Sequence, residues 1–261
     1  MKEIYKNILG MIDLTSLTVT DTPTSIKAMV EKVNNFNNIF PDYPMPASIC
    51  VYPNFAGVVA AARKSKEIHV TVVGGCFPAS QSPLKVKLLE CTEAVTEGAD
   101  EVDIVLALNS FLDGRPKEAS REIYEINKAI KAINADVHLK VILETGALKD
   151  AQMIEEASLL AMEAGADFIK TSTGKISPSA TPEAAEVMCQ AIAKYYKKTG
   201  RKVGFKPAGG IATPEEALIY YNIVHDTLGS KWLTPKLFRF GASRMANNIL
   251  SALEGKEVKY F

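Results

Sequence analysis

The stretch Ala164-Gly165-Ala166-Asp167-Phe168-Ile169-Lys170-Thr171-Ser172-Thr173-Gly174 compresses a helix end, a strand and a loop into one short run. Gly165 stands where a helix should stop. Phe168 to Lys170 then read as a brief buried strand, closed by a lysine and followed by small polar residues. The same order occurs upstream, where Glu97-Gly98-Ala99-Asp100 leads into the apolar run Glu101 to Leu106. A helix stop placed directly before a strand, and repeated, marks βα units around a parallel sheet.

Working outward, the pattern predicts eight strands: Ile12–Leu14, Ser48–Val51, His69–Val73, Glu101–Leu106, His138–Leu143, Phe168–Lys170, Val203–Lys206 and Leu237–Phe240. Long amphipathic segments lie between them. Ser82-Pro83, Thr181-Pro182 and Thr213-Pro214 each pair a capping hydroxyl with a proline suited to the first helical position. No linker or charge block divides the chain, and its 261 residues match the length typical of one barrel. The expected architecture is α/β, a TIM (β/α)8 barrel with an N-terminal helical lead-in, spanning residues 1–261 as a single domain. A doubly wound open sheet is the alternative. It would be expected to carry a Gly-x-Gly-x-x-Gly fingerprint, which this sequence lacks.

Composition narrows the function classes. Thirty basic residues balance thirty acidic ones, so no long-range field favours nucleic acid or an anionic membrane. The longest nearly apolar stretch, Ala56 to Ala62, is far short of the ~20 residues a membrane helix needs. Residues Met1 to Asp13 fit neither a secretory nor a transit peptide, which points to the cytoplasm. Cys50, Cys76, Cys91 and Cys189 lack metal or disulfide spacing and read as reduced thiols. His69, His138 and His225 form no His-x-His or HExxH set, so metal chemistry is not expected.

Buried parallel strands should be continuous apolar runs. Asp103, Lys140, Lys170 and Lys206 break four of them. Lys170 and Lys206 each end a strand, and the C-terminal ends of barrel strands are where such enzymes place their chemistry. Two ammonium groups in one partly desolvated pocket cannot both be charged cheaply, so the more buried should be a free amine. A free amine attacks carbonyls, and the resulting iminium draws electrons from a neighbouring carbon–carbon bond. Asp103 is the candidate to relay protons. Surface ladders or structural ion pairs are the plainer reading of each residue alone.

Three glycine-containing turns follow the late strands: Thr173-Gly174-Lys175, Ala208-Gly209-Gly210 and Gly241-Ala242-Ser243-Arg244. Backbone N–H groups in such turns can approach an anion closely, with Lys175 and Arg244 adding charge and Ser243 a hydroxyl. A phosphorylated carbonyl compound is the substrate class these features suggest together.

Several longer segments resemble the deoxyribose-phosphate aldolase family. They are Asp13-Leu-Thr-Ser-Leu17, Ile49-Cys-Val-Tyr-Pro53, Gly98-Ala-Asp-Glu-Val-Asp103, Lys140-Val-Ile-Leu-Glu-Thr-Gly146, Asp167 to Lys175, Gly204-Phe-Lys-Pro-Ala-Gly-Gly210 and Arg239-Phe-Gly-Ala-Ser243. The resemblance covers almost the whole chain. It implies a class I aldolase that reversibly cleaves 2-deoxy-D-ribose 5-phosphate to D-glyceraldehyde 3-phosphate and acetaldehyde, a step of deoxyribose phosphate catabolism. No cofactor is implied, and the implied assembly is a homodimer. Lys170 matches the Schiff-base lysine, Lys206 the lysine that tunes it, and Asp103 the carboxylate of the proton relay. Thr15, Thr173, Gly174, Lys175, Gly209, Gly210 and Ser243 match substrate- and phosphate-contacting positions.

The resemblance has its departures. Relatives often carry an arginine where Ala212 stands, and a second serine where this chain has Arg244, so Arg244 is expected to replace the missing cation. Cys50 should lie near the pocket, either as a reactive thiol or as an inert buried one. Tyr260, penultimate in the chain, is a candidate to reach the site, as a C-terminal tyrosine does in some relatives. Another Schiff-base aldolase with a different donor, and a sugar-phosphate-binding barrel without chemistry, are the competing readings.

Overall fold

The alternation seen in the sequence closes into a barrel in the computed structural model, which describes residues 1–261. Its strands are β1 (Ile12–Thr15), β2 (Ser48–Val51), β3 (His69–Gly74), β4 (Glu101–Val105), β5 (His138–Ile142), β6 (Phe168–Lys170), β7 (Gly204–Lys206) and β8 (Phe240–Ala242). Each pairs in parallel with the next from β1 to β7, and β8 pairs with β1. Helix α1 (Lys2–Leu9) is the lead-in. After β1 come α2 (Pro23–Asn34) and the single turn α3 (Phe36–Ile39). The ring continues with α4 (Ala56–Ala62), α5 (Leu84–Thr96), α6 (Leu108–Leu112), α7 (Pro116–Ile133), α8 (Ala151–Glu163), α9 (Pro182–Thr199), α10 (Pro214–Leu228) and α11 (Arg244–Glu254). No helix is long and apolar enough to cross a membrane.

Local chemistry explains most boundaries. Thr181 and Thr213 accept from the Ala184 and Glu216 N–H groups, with Pro182 and Pro214 opening α9 and α10. Ser82-Pro83 behaves differently: Pro83 itself takes the extended cap position of α5, and no side chain caps that helix. Gly165 has φ 107, and a Cβ there would meet the Asn127 amide at 2.5 Å, so only glycine passes from α8 to β6.

The last strand departs from expectation. Leu237 and Phe238 donate their N–H groups to the Thr234 carbonyl (2.9 and 2.8 Å), so this segment winds in a turn and β8 starts at Phe240. The segment still closes the barrel, because Arg239 N–H donates to the Phe205 carbonyl and Gly241 N–H to the Pro207 carbonyl (3.1 and 3.0 Å).

Alternation along the strands sorts two interiors. Val70, Val72, Val102, Ile104, Leu139, Val141, Ile169 and Phe205 belong to the apolar core between strands and helices. The alternate positions point into the barrel, where branched apolar residues usually pack. Here they include Asp13, Glu101, Asp103, Lys140, Lys170 and Lys206, joined by Arg239 from the segment before β8, all buried. The Phe168 ring lies among them, over Gly204, where any Cβ would meet it at 2.3 Å.

Candidate active site

Register brings the lysines together: Ile142, Lys170 and Lys206 are partners across β5, β6 and β7. Asp103 on β4 reaches both. One of its oxygens accepts from Lys170 Nζ at 2.9 Å and Lys206 Nζ at 2.7 Å, while the other accepts from Lys140 at 3.0 Å. Asp13, to which the sequence argument gave no role, lies 2.5 Å from Lys206 Nζ and also pairs with Arg239. Arg239 extends the network to Glu101, which accepts from Lys140 as well.

The charges in this network do not balance. Lys140, Lys170, Lys206 and Arg239 supply four cations against the three carboxylates Asp13, Glu101 and Asp103. A buried surplus cation is expensive, and losing one proton balances the set. Among the four, Lys170 is the one whose pKa is lowered. Burial pulls its pKa below the ordinary lysine value; the shared Asp103 opposes this, and the Lys206 charge adds to it. Burial acts on Lys206 too, but Asp103 and Asp13 outweigh it and hold that ammonium above its usual value. Burial alone does not separate the two lysines, against the expectation that the more buried one has the lowered pKa. Lys206 is 0% and Lys170 4% exposed, and the number of carboxylate partners decides instead. Asp103 stays ionised, because burial raises it less than Lys140, Lys170 and Lys206 lower it. Burial pushes the Cys50 thiol up, which favours the inert reading.

Above Lys170, at the C-terminal ends of the strands, opens a cavity of about 390 Å³. Thr15, Thr173, Gly174, Lys175, Gly209, Gly210, Ser243 and Arg244 all line it, together with Lys170 and Ala212. Asp103 and Lys206 lie beneath its floor. Gly209 and Gly174 approach so closely that a Cβ on Gly209 would stand 3.0 Å from the Gly174 Cα. The N–H groups of Gly174, Gly209 and Gly210 find no acceptor within the protein. Ser243 caps α11 without a side-chain bond, leaving that helix terminus open beside them. Lys175 reaches across the mouth to the Leu17 carbonyl at 2.7 Å, and Thr15 donates to its own strand at the Asp13 carbonyl.

A larger hollow, about 800 Å³, opens at the other end of the barrel among Met11, Pro44, Met45, His69, His138 and Arg239. It touches neither Lys170 nor Lys206. The sequence spacing kept His69 and His138 apart, but strand pairing brings both to Glu101, at 2.8 and 3.7 Å. The trio has the donor types of a metal site. Its carboxylate, however, already accepts from Arg239, Lys140, Thr71 and His69, and two of those donors are cations. His225 lies elsewhere, on α10, paired with Asp226.

Tyr260 does not approach the cavity. Its hydroxyl donates to the Lys32 carbonyl in the last turn of α2 (2.6 Å), and its ring packs on Phe36, Phe40 and Phe261. Asn247 accepts from the Tyr260 and Phe261 N–H groups and holds the tail down.

Comparison with known proteins gives consistent matches. A family model described as DeoC/LacD family aldolase matches residues 10–226. Deoxyribose-phosphate aldolase of Agrobacterium fabrum is 38% identical over 250 residues, covering 95% of this chain and 91% of that protein. The Bos taurus protein of the same name is 40% identical over 250 residues, covering 91% and 77%. Among solved structures, deoxyribose phosphate aldolase from Aeropyrum pernix, described as tetrameric, superposes with a TM-score of 0.75 at 23% identity over 95% of this chain and 92% of that one. At that identity the likeness is one of fold.

Proposed function

The chain belongs to the DeoC/LacD aldolase family, and from that premise we propose that it is a deoxyribose-phosphate aldolase working through an imine on Lys170. One observation carries the reading: a lysine whose charge is surplus to its buried network lies in the wall of a cavity lined by unpaired glycine N–H groups. An amine nucleophile and an anion cradle share one mouth.

In this reading 2-deoxy-D-ribose 5-phosphate enters as the open-chain aldehyde, its phosphate held by Gly174, Gly209, Gly210 and the start of α11. Lys175 and Arg244 bring charge, Arg244 standing in for the cation absent at Ala212. The Lys170 lone pair attacks C1, water leaves, and an iminium forms. That iminium restores the surplus buried charge. The C3 hydroxyl then gives up its proton, the C2–C3 bond breaks, and its electrons flow to nitrogen, which removes the charge. D-Glyceraldehyde 3-phosphate departs. The enamine left on Lys170 is protonated at C2, and water releases acetaldehyde and the free amine. Asp103 is the carboxylate in contact with Lys170 Nζ. It orients the amine and stabilises the iminium, and through a water beside it the C3 hydroxyl proton is taken up and returned to C2 of the enamine.

Reduction with sodium borohydride in the presence of 2-deoxyribose 5-phosphate, followed by peptide mapping, tests the proposal. A stable adduct on Lys170 is the expected result. An active preparation that traps no lysine would overturn it.

A further inference from the structure

β5 leaves the sheet out of step. Leu143 N–H donates to the Lys170 carbonyl and Thr145 N–H to the Thr171 carbonyl, both at 2.9 Å. Two residues of one chain therefore advance against one of the other, where an unbroken parallel ladder matches two with two. Glu144 is the extra residue. It takes a left-handed conformation, φ 55 and ψ 58, uncommon for a non-glycine residue and typical of constrained sites. The bulge turns its side chain toward the loop after β6. There the carboxylate, 3% exposed, accepts the Thr173 N–H at 3.1 Å and the Thr173 hydroxyl at 2.5 Å.

We infer that Glu144 is a positioning residue for the anion cradle, fixing the polarity of the Thr173 hydroxyl and through it the course of the Thr173–Lys175 turn. The inference rests on the reading that this cradle holds the substrate phosphate. A carboxylate only accepts hydrogen bonds, so the hydroxyl hydrogen must face Glu144. The oxygen's lone pairs are then free for the Lys175 N–H, which donates to it at 3.0 Å. Both bonds bend the turn so that Gly174, whose own N–H is unpaired, meets Gly209 across the cavity. Thr173 thus serves the anion by holding the loop, since its hydrogen is committed inward. The same β5 turn also braces the far end of the loop, where a Cβ on Gly146 would stand 2.1 Å from the Pro178 carbonyl oxygen. Glutamine has nearly the shape of glutamate but presents an N–H donor to the hydroxyl. The hydroxyl must then turn its hydrogen away from residue 144, where it competes with the one remaining lone pair for the side that faces the Lys175 N–H, so the polarity that holds the turn is no longer fixed.

The test compares kcat/KM for 2-deoxyribose 5-phosphate and for unphosphorylated 2-deoxyribose in wild type, Glu144→Gln, Thr173→Val, the double variant and Thr173→Ser. Glu144→Gln is expected to lower the preference for the phosphorylated sugar at least about tenfold, mainly through KM. Thr173→Val should do the same, the double variant should lose no more than either single change, and Thr173→Ser should keep the preference. Parallel losses on both sugars, an unchanged preference, or additive losses in the double variant would overturn the inference. Thr173→Val reports on the same contact should Glu144→Gln fail to fold. A wild-type protein that does not cleave 2-deoxyribose 5-phosphate would instead sink the aldolase reading. Calorimetric titration with inorganic phosphate then decides about Glu144: binding weakened about tenfold in Glu144→Gln upholds its role, and equal affinity removes it.

Discussion

Lys206 Nζ lies 2.5 Å from an Asp13 oxygen, a second carboxylate partner that Lys170 does not have. This contact separates two lysines that otherwise share Asp103. Asp13→Asn should therefore blur which amine is neutral. Borohydride trapping is expected to place part of the adduct on Lys206, and kcat/KM should fall at least tenfold, about 1.4 kcal/mol or more. Peptide mapping that finds Lys170 alone, at wild-type yield, would contradict the assignment.

Lys206→Leu removes one cation, so the remaining three match the three carboxylates with Lys170 charged. Its pKa should rise, and the acid limb of the pH profile of kcat/KM should move to higher pH. Each unit of that shift costs about tenfold in rate below the limb. Activity regained at alkaline pH distinguishes this from simple damage to the pocket.

Stability should carry the same signature. The folded pKa of Lys170 is lowered by burial, against roughly 10.4 when unfolded. Between those values the unfolded chain binds more protons, so this group's contribution to stability rises with pH and is lost as pH falls through the folded value. Lys170→Met should be more stable than wild type below that window, and the advantage should shrink toward pH ~10.4. Urea denaturation at a series of pH values measures the difference. The buried thiols titrate in both proteins and cancel.

The Arg244 guanidinium makes no hydrogen bond or ion pair within the protein and lines the cavity with Ala212. Arg244→Ala should raise KM for 2-deoxyribose 5-phosphate by roughly tenfold, the scale of one charge-assisted hydrogen bond. An unchanged KM would leave the anion to the glycine turns and Lys175 alone.

The docked tail predicts a separation of effects. Deleting Tyr260 and Phe261 strips aromatic contacts from Phe36 and Phe40, so Tm should fall by several degrees, about 2–4 °C per kcal/mol for a chain of this size. Turnover should stay within about twofold, because Tyr260 lies away from Lys170. A large loss of kcat at unchanged Tm would show that the tyrosine leaves its seat to act.

The barrel, the lysine pair and the glycine turns around one cavity were legible because each is written locally: a glycine stop, an apolar run, a charged residue where a strand should be greasy. What crossed the barrel was not. Asp13 stands in a quoted motif, but only closure of β8 against β1 brings it to Arg239 and Lys206. His69 and His138 are far apart in sequence and meet through Glu101 on the strand between them. Glu144 was hidden for a different reason: its importance lies in a backbone conformation that no side-chain pattern announces. The last strand was misplaced because Leu237 and Phe238 have strand-like side chains while their N–H groups serve a turn.

The charged filling of the barrel also bears on how such a sequence can drift. In an aliphatic interior, neighbours trade volume and many combinations are acceptable. Here Asp13, Glu101, Asp103, Lys140, Lys206 and Arg239 are bound by integer arithmetic, because removing one charge strands its partner without solvent. Single replacements at these positions are poor intermediates, whereas matched pairs preserve the sum. Among descendants of this chain the six positions should covary as a block, so that their inheritance resembles that of one composite residue spread across four strands and the segment before β8.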